Sequence, residues 1–379
     1  MKQFIAIVGV ALLAACGTTP RIEAPPALFV DAPFGSEPDE VRHLDLFALS
    51  PAMNDFLVRE MPRYTRRDGP ARGLYEALRT RLRIDYDATT TRVAAQTFDL
   101  HTGNCLSLVI LTAALARPLD VAVGYRYVPQ VRTWTRTGDV LFENGHVNIE
   151  LSPRATVAGN GIVPPLIVDF VPAEAIDAQP ARMLDDRTIE AMFRNNRAAE
   201  VLVAGDPRTA YWWARSAIKT DPGFRAAYNT LAVVYLRAEQ PALAGQVLRY
   251  ALTQVPDDPR LLRNLAIALD HQGLTDEASR VRMQLAALDT YQPFRLLDEG
   301  KLAYARGDAA AAMKLYRKEL RHLPYSAELH YAIAVASAQL GDERGARRHL
   351  DAAMQLSLNV HDRDLYAGKL EKLRALEMQ

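Results

Sequence analysis

One cysteine in this chain sits where a cysteine nucleophile would be placed. Cys105 lies in Thr102-Gly103-Asn104-Cys105-Leu106-Ser107, a turn that runs straight into the apolar stretch Leu106–Ala116. A thiol at a helix start faces unpaired backbone N–H groups and the positive end of the helix dipole, which favour the thiolate. The other cysteine, Cys16, lies at the far N-terminus, so Cys105 has no ordinary partner for an internal disulfide. Later in the chain His146 opens the alternating stretch His146–Leu151, and Asp169 lies within Leu166–Val171. A neutral thiol attacks an amide poorly, so an imidazole must take its proton and later return one to the leaving amine. A carboxylate on the far ring nitrogen would hold that imidazole in the right tautomer. An oxyanion must also be met by donors. The backbone N–H of Cys105 is the natural first one, with Gln96 and Asn104 as candidates for the second.

Each residue also has a plainer reading. Cys105 suits a small buried hydrophobe, and His146, beside Asn144-Gly145, suits a turn. Period-two alternation puts Asp169 opposite Val168 and Phe170, on a face that water could reach. His101, four residues before Cys105, is a rival base, but it would need the helix to start earlier, through Gly103.

The elements that must carry these groups are legible around them. Ser50–Met61 and Gly69–Leu82 read as amphipathic helices, the first opened by a Ser-Pro cap and the second beginning near Pro70. Asp85–Arg92 reads as a polar loop, Val121–Val128, His146–Leu151 and Leu166–Val171 as strands, and the region around Trp134–Asp139 as a polar loop. Gly159-Asn160-Gly161 reads as a hairpin turn. Helices followed by a run of strands predict an α+β domain with an antiparallel sheet over residues 40–185.

In order and context these residues resemble the transglutaminase-like (papain-like) cysteine-enzyme superfamily. The resemblance implies a central helix bearing Cys105, packed on a sheet whose strands supply His146 and Asp169 as a Cys-His-Asp triad. It further implies amide chemistry through a thioester, as peptidase, amidase or acyl transferase. The family's tryptophan before the aspartate strand is replaced here by Pro164-Pro165-Leu166, and the stretch from Pro129 to Asn144 is idiosyncratic.

The second half is a repeat array. Alanine recurs every 34 residues at Ala210, Ala244, Ala278, Ala312 and Ala346, with small residues in phase at Ala198, Ala232, Ala266, Gly300 and Ala334. Glycine holds a third phase at Gly205, Gly273, Gly307 and Gly341, with Glu239 as the exception, and proline a fourth at Pro222, Pro256 and Pro324. Small residues allow two helices to cross closely, glycine suits the turn between them, and proline stops the second helix. The pattern resembles the tetratricopeptide repeat, giving an all-α solenoid of five units over 191–360 and a capping helix over 361–379. Such arrays bind a protein or peptide, brace a neighbouring domain or drive self-association. His271, His322, His330 and His349 have no metal-ligand spacing, and Trp212-Trp213 reads as inter-helix core.

The N-terminus reads as an address. Met1-Lys2, the apolar run Phe4–Leu13 and Leu13-Ala14-Ala15-Cys16 resemble a bacterial lipoprotein signal over 1–16, which implies lipidation of Cys16. Gly17 stands where inner-membrane retention would want aspartate, so the resemblance implies the outer membrane, facing the periplasm. Residues 17–39, with Pro20, Pro25, Pro26 and Pro33, read as an extended tether. Acidic and basic residues balance at 45 each, which argues against a nucleic-acid partner. No phosphate loop or nucleotide fingerprint appears, so no cofactor is expected. The sequence thus predicts an envelope lipoprotein with a cysteine-enzyme domain and a docking array, or a non-catalytic scaffold of the same build.

Overall fold

The computed structural model describes residues 23–87, 90–137, 140–153, 164–170, 180–288, 291–324, 326–357 and 360–377. The signal with Cys16 and the Gly159-Asn160-Gly161 turn lie outside these residues.

The N-terminal domain is built around one buried helix. Helices α1 (Asp39–Arg42), α2 (Pro51–Arg59) and α3 (Met61–Ala77) come first. Ser50 caps α2 by accepting from the Met53 N–H, as its sequence predicts. Within α3 the non-helical Gly69 (φ 75°, ψ 170°) divides two helical segments, and the second begins at Pro70, where the sequence places it. A glycine can take that left-handed angle, and the following ring then restarts the helix. After the two-residue strand β1 (Asp85–Tyr86) come α4 (Ala94–Leu100), β2 (Thr102–Gly103) and α5 (Cys105–Ala116). Every residue of α5 after Cys105 is buried. A helix apolar all round must be enclosed on all sides, and α5 packs against α3, α4 and the main sheet.

That sheet has the order β5-β4-β3-β6, antiparallel throughout, from β3 (Val121–Thr137), β4 (Val140–Pro153), β5 (Leu166–Val168) and β6 (Arg182–Leu184). The polar loop expected around Trp134–Asp139 is, where described, a continuing hairpin in which Arg132–Thr137 pair with Val140–Gly145. Thr133, Trp134 and Thr135 favour extended backbone. The register shift between Val128 and Arg132 takes up Pro129, which cannot donate to the ladder.

From α6 onward the chain is a helical solenoid. The pairs are α6 (Asp186–Val203) with α7 (Pro207–Thr220), α8 (Ala226–Arg237) with α9 (Pro241–Gln254), α10 (Pro259–His271) with α11 (Thr275–Ala287), α12 (Arg295–Ala305) with α13 (Ala309–Leu320), and α14 (Ala327–Gln339) with α15 (Glu343–Leu356). Helix α16 (Val360–Glu377) follows and packs on α15. All five phased alanines of the second helices are fully buried. At Gly300 an added Cβ would lie 2.3 Å from the Tyr316 ring, so this crossing needs glycine. The four turn glycines all have positive φ, and Glu239, the exception in sequence, adopts the same left-handed backbone at φ 57°. That conformation strains a residue with a Cβ. Glu239→Gly is therefore expected to stabilise the chain by up to about 1 kcal/mol, read as a higher urea midpoint; an unchanged or lower midpoint would refute it.

The tether expected over 17–39 is instead a docked strap from residue 23 onward. Leu28 and Phe34 are buried, and Phe34 stacks on Tyr211 with ring centroids 4.1 Å apart. The Tyr235 hydroxyl accepts from the Val30 N–H at 3.1 Å and donates to the Leu28 carbonyl at 2.8 Å. Tyr211 donates to Asp31 at 2.5 Å, and Trp212 Nε1 donates to the Phe34 carbonyl at 3.2 Å. Pro26 and Pro33 open short 3-10 turns, Pro26–Leu28 and Ala32–Phe34, and apolar side chains and phenols facing the backbone hold the segment down. One apolar core consequently runs from Leu28 through α5 and the sheet to Ala278 in α11. Trp213 belongs to that core, edge-on to Phe193, while Trp212 serves both core and strap.

Candidate active site

Cys105 is the first residue of α5, and the turn before it is built for that position. Asn104 is the N-cap: its Oδ1 accepts from the Ser107 N–H at 2.9 Å and the Ser107 hydroxyl at 2.9 Å. Its Nδ2 donates to Thr91 Oγ1 at 2.7 Å. A Cβ at Gly103 would lie 2.8 Å from Ser107 Cβ and 3.0 Å from Thr97, so the approach to the cap demands glycine. The first repeat braces the same turn, since Glu200 of α6 accepts from the Thr91 N–H at 2.7 Å and Asn196 donates to the Thr91 hydroxyl at 3.3 Å.

His146 lies within β4, and its Nε2 donates to Asp169 Oδ2 at 2.6 Å. Asp169 follows directly on β5, and because Ile149 pairs with Val168, the next residue stands across from Asn148. Asn148 Nδ2 accordingly donates to the same Oδ2 at 2.9 Å, and Arg126 Nη1 donates to Asn148 Oδ1 at 3.3 Å. His146, Asn148 and Arg126 are all buried. Asp169 is therefore enclosed by donors and does not sit on the solvated face that alternation allows.

The thiol departs from its sequence expectation. Cys105 is half-buried, and burial pushes its pKa above the ordinary thiol value. Hydrogen bonds from the Tyr86 hydroxyl and from the Leu106 N–H pull it back down without winning, and the Asp169 charge adds to the rise. Desolvation of the charged form outweighs the helix start here. At neutral pH the resting sulfur is a thiol, and alkylation should accelerate only above the ordinary thiol range.

The structure thus joins His146 to Asp169 directly. Among the described residues no hydrogen bond links Cys105 to His146; the Asp169 charge reaches both Cys105 and Tyr86. His101 is not a base for Cys105. It takes a left-handed backbone after α4, and its Nδ1 bonds the Leu82 carbonyl at 2.8 Å. Of the oxyanion candidates, Gln96 is exposed on α4, and the Asn104 amide is occupied at both ends. The sequence reading missed Tyr86. Its trace there was an aromatic residue between two aspartates, in Ile84-Asp85-Tyr86-Asp87, read as polar loop.

The repeat half of the chain is a solenoid of helix pairs of the tetratricopeptide type. The chain is 30% identical over 160 residues to cellulose synthase operon protein C of Pseudomonas fluorescens. That match covers 40% of this chain and spans 12% of the length of that protein. Among solved structures it is similar to Pseudomonas aeruginosa PilF at 21% identity, over 50% of this chain and 90% of that one, with a TM-score of 0.28. It is similar to a tetratricopeptide protein of Thermus thermophilus at 17% identity, over 48% of this chain and 98% of that one, with a TM-score of 0.29. No protein-family model matches the chain.

Proposed function

We propose that this chain is a scaffold of the bacterial envelope whose repeats bind a protein or peptide. The observation that carries the reading is the solenoid itself, five helix pairs in one phase with their crossings sealed by small residues. Its first helices also leave apolar side chains exposed, with Ile267 at 40% and Leu302 at 62%. The similarity over 160 residues to part of cellulose synthase operon protein C is in keeping with this reading. The Cys16 signal supports lipid attachment at the outer membrane, on the periplasmic side. Among the described residues no helix is long and apolar enough to cross the membrane. One fractionation experiment tests both parts. Cys16→Ser should move the protein from the membrane to the soluble fraction. Ile267→Asp should abolish co-purification of its cellular partner, while Cys105→Ala leaves it intact. Unchanged fractionation sinks the anchor, and a partner lost only with Cys105→Ala sinks the docking array.

A second reading is favoured by one observation, the His146–Asp169 pair, whose carboxylate charge is felt at Cys105. In it the N-terminal domain is a transglutaminase-like cysteine hydrolase or acyl transferase. With Nε2 held by Asp169, Nδ1 is the ring nitrogen left to take the Cys105 proton. The thiolate would add to an amide carbon, and the imidazolium would protonate the leaving amine as the C–N bond breaks. Water, activated by the same ring, would then hydrolyse the thioester.

A further inference from the structure

Helix α3 and the turn that follows it carry seven arginines against two acids over residues 61–83, in a chain whose charges balance overall. Three of them, Arg63, Arg67 and Arg72, line one cleft of about 530 Å³. We infer that this cleft is a binding site for a phosphate group, held between the guanidiniums of Arg63 and Arg72. It uses no residue of the Cys105 centre or of the repeats, so it stands apart from both readings above.

The cleft is made by the backbone. In a straight helix Tyr64 and Gly73 would stand roughly 13 Å apart along the axis. The break at Gly69 folds the two limbs of α3 together instead. A Cβ on Gly73 would lie 2.8 Å from the Tyr64 carbonyl carbon and 2.9 Å from the Thr65 nitrogen, so the contact demands glycine. Arg63 precedes that contact on one limb and Arg72 on the other, and both are delivered to the same space. The acids of the cleft are already engaged, Asp68 with Arg67 at 3.7 Å and Glu76 with Arg79 at 3.0 Å. Just outside it, Arg81 is taken by Glu60 at 2.6 Å. Among the described residues Arg63 and Arg72 make no ion pair and no side-chain hydrogen bond. Two cations facing one space repel each other, and a shared anion turns that repulsion into attraction. A carboxylate is satisfied by one guanidinium fork, whereas a phosphate has oxygens for two. Arg66 is exposed on the first limb but does not line the cleft, so it carries the same charge without that geometry.

Calorimetric titration of the full chain with inorganic pyrophosphate tests the site, beside co-sedimentation with phosphatidylglycerol and phosphatidylcholine vesicles. Pyrophosphate is expected to bind, with Kd raised about tenfold in Arg63→Gln and in Arg72→Gln. Arg66→Gln should raise it no more than about twofold. Phenylglyoxal labelling of the wild type asks the same question without a variant: pyrophosphate should protect Arg63 and Arg72 and leave Arg66 open. The vesicles identify the source of the phosphate, and a lipid anchor contributes equally to both kinds. A preference for phosphatidylglycerol that pyrophosphate competes away and Arg72→Gln loses upholds the site as one for a lipid headgroup. Pyrophosphate binding with no vesicle preference upholds it as one for a soluble phosphate compound. An equal loss in Arg66→Gln reduces the effect to net charge and overturns the inference. Binding that all three variants retain overturns it too, as does a wild type that binds neither probe.

Discussion

Asp169→Asn is expected to slow acylation of Cys105 by about 10²–10⁴-fold at neutral pH while lowering the pKa of the thiol. The two effects have separate causes. Oδ2 of Asp169 accepts from His146 Nε2 at 2.6 Å, which fixes the ring proton on that nitrogen and leaves Nδ1 bare. An asparagine can turn its NH₂ toward Nε2, driving the ring proton onto Nδ1 and blocking the base. The carboxylate charge is also one of the influences that raise the thiol pKa, so neutralising it must bring that pKa down. Alkylation by iodoacetamide at pH 7 should therefore rise slightly as acylation collapses. A purely architectural Asp169 would instead lower the thermal midpoint and leave the ratio of the two rates alone. Following p-nitrophenolate release beside iodoacetamide labelling, on wild type and variant, decides between them.

The scaffold and cysteine-enzyme readings are mechanically connected. Glu200 and Asn196, on the first helix of the solenoid, hold Thr91, and Thr91 holds the Asn104 cap from which α5 and Cys105 begin. Thr91, in the irregular segment before α4, is thus the shared partner of the first repeat and of the turn that carries Cys105. The two halves are joined by one core, so neither is an appendage of the other.

Much of this could be read in the sequence because its signals are local. Thirty-four-residue phasing reports the helix pairs directly, since each small residue is demanded by a crossing that recurs in every unit. The Asn104-Cys105 start was legible because caps are set by a few adjacent residues. The pairing of His146 with Asp169 was suggested by order alone, but what fixes it is register. Ile149 opposite Val168 puts Asn148 opposite Asp169, and no local pattern states a register. Tyr86 was invisible for the same reason, being placed by a two-residue parallel pairing across an intervening helix. The thiol pKa was misjudged because the helix start is local, whereas the burial that outweighs it comes from elsewhere in the fold. The docking of the strap has no local signal, because the side chains that hold it, Tyr211, Trp212 and Tyr235, lie far along the chain.

Phe34→Ala is expected to destabilise the full chain by about 3–5 kcal/mol, although the residue lies in a stretch whose composition reads as a tether. Phe34 is only 2% exposed, stacked flat on Tyr211 and 5.8 Å from the Tyr235 ring. Truncating it opens a cavity between the strap and α7 that neighbouring polar bonds resist closing. Tyr211 and Arg215 are held to Asp31 on one side, and Trp212 is held to the Phe34 carbonyl on the other. A free tether would lose nothing by the same change. Urea unfolding gives the answer through two signals, tryptophan fluorescence and far-ultraviolet circular dichroism. Trp212 and Trp213 lie at or near the strap, while the dichroism reports every helix. With one core from Leu28 to Ala278, both signals should shift together to lower urea. If fluorescence alone responds while the helical midpoint stays put, the strap undocks by itself and contributes nothing to the fold it covers.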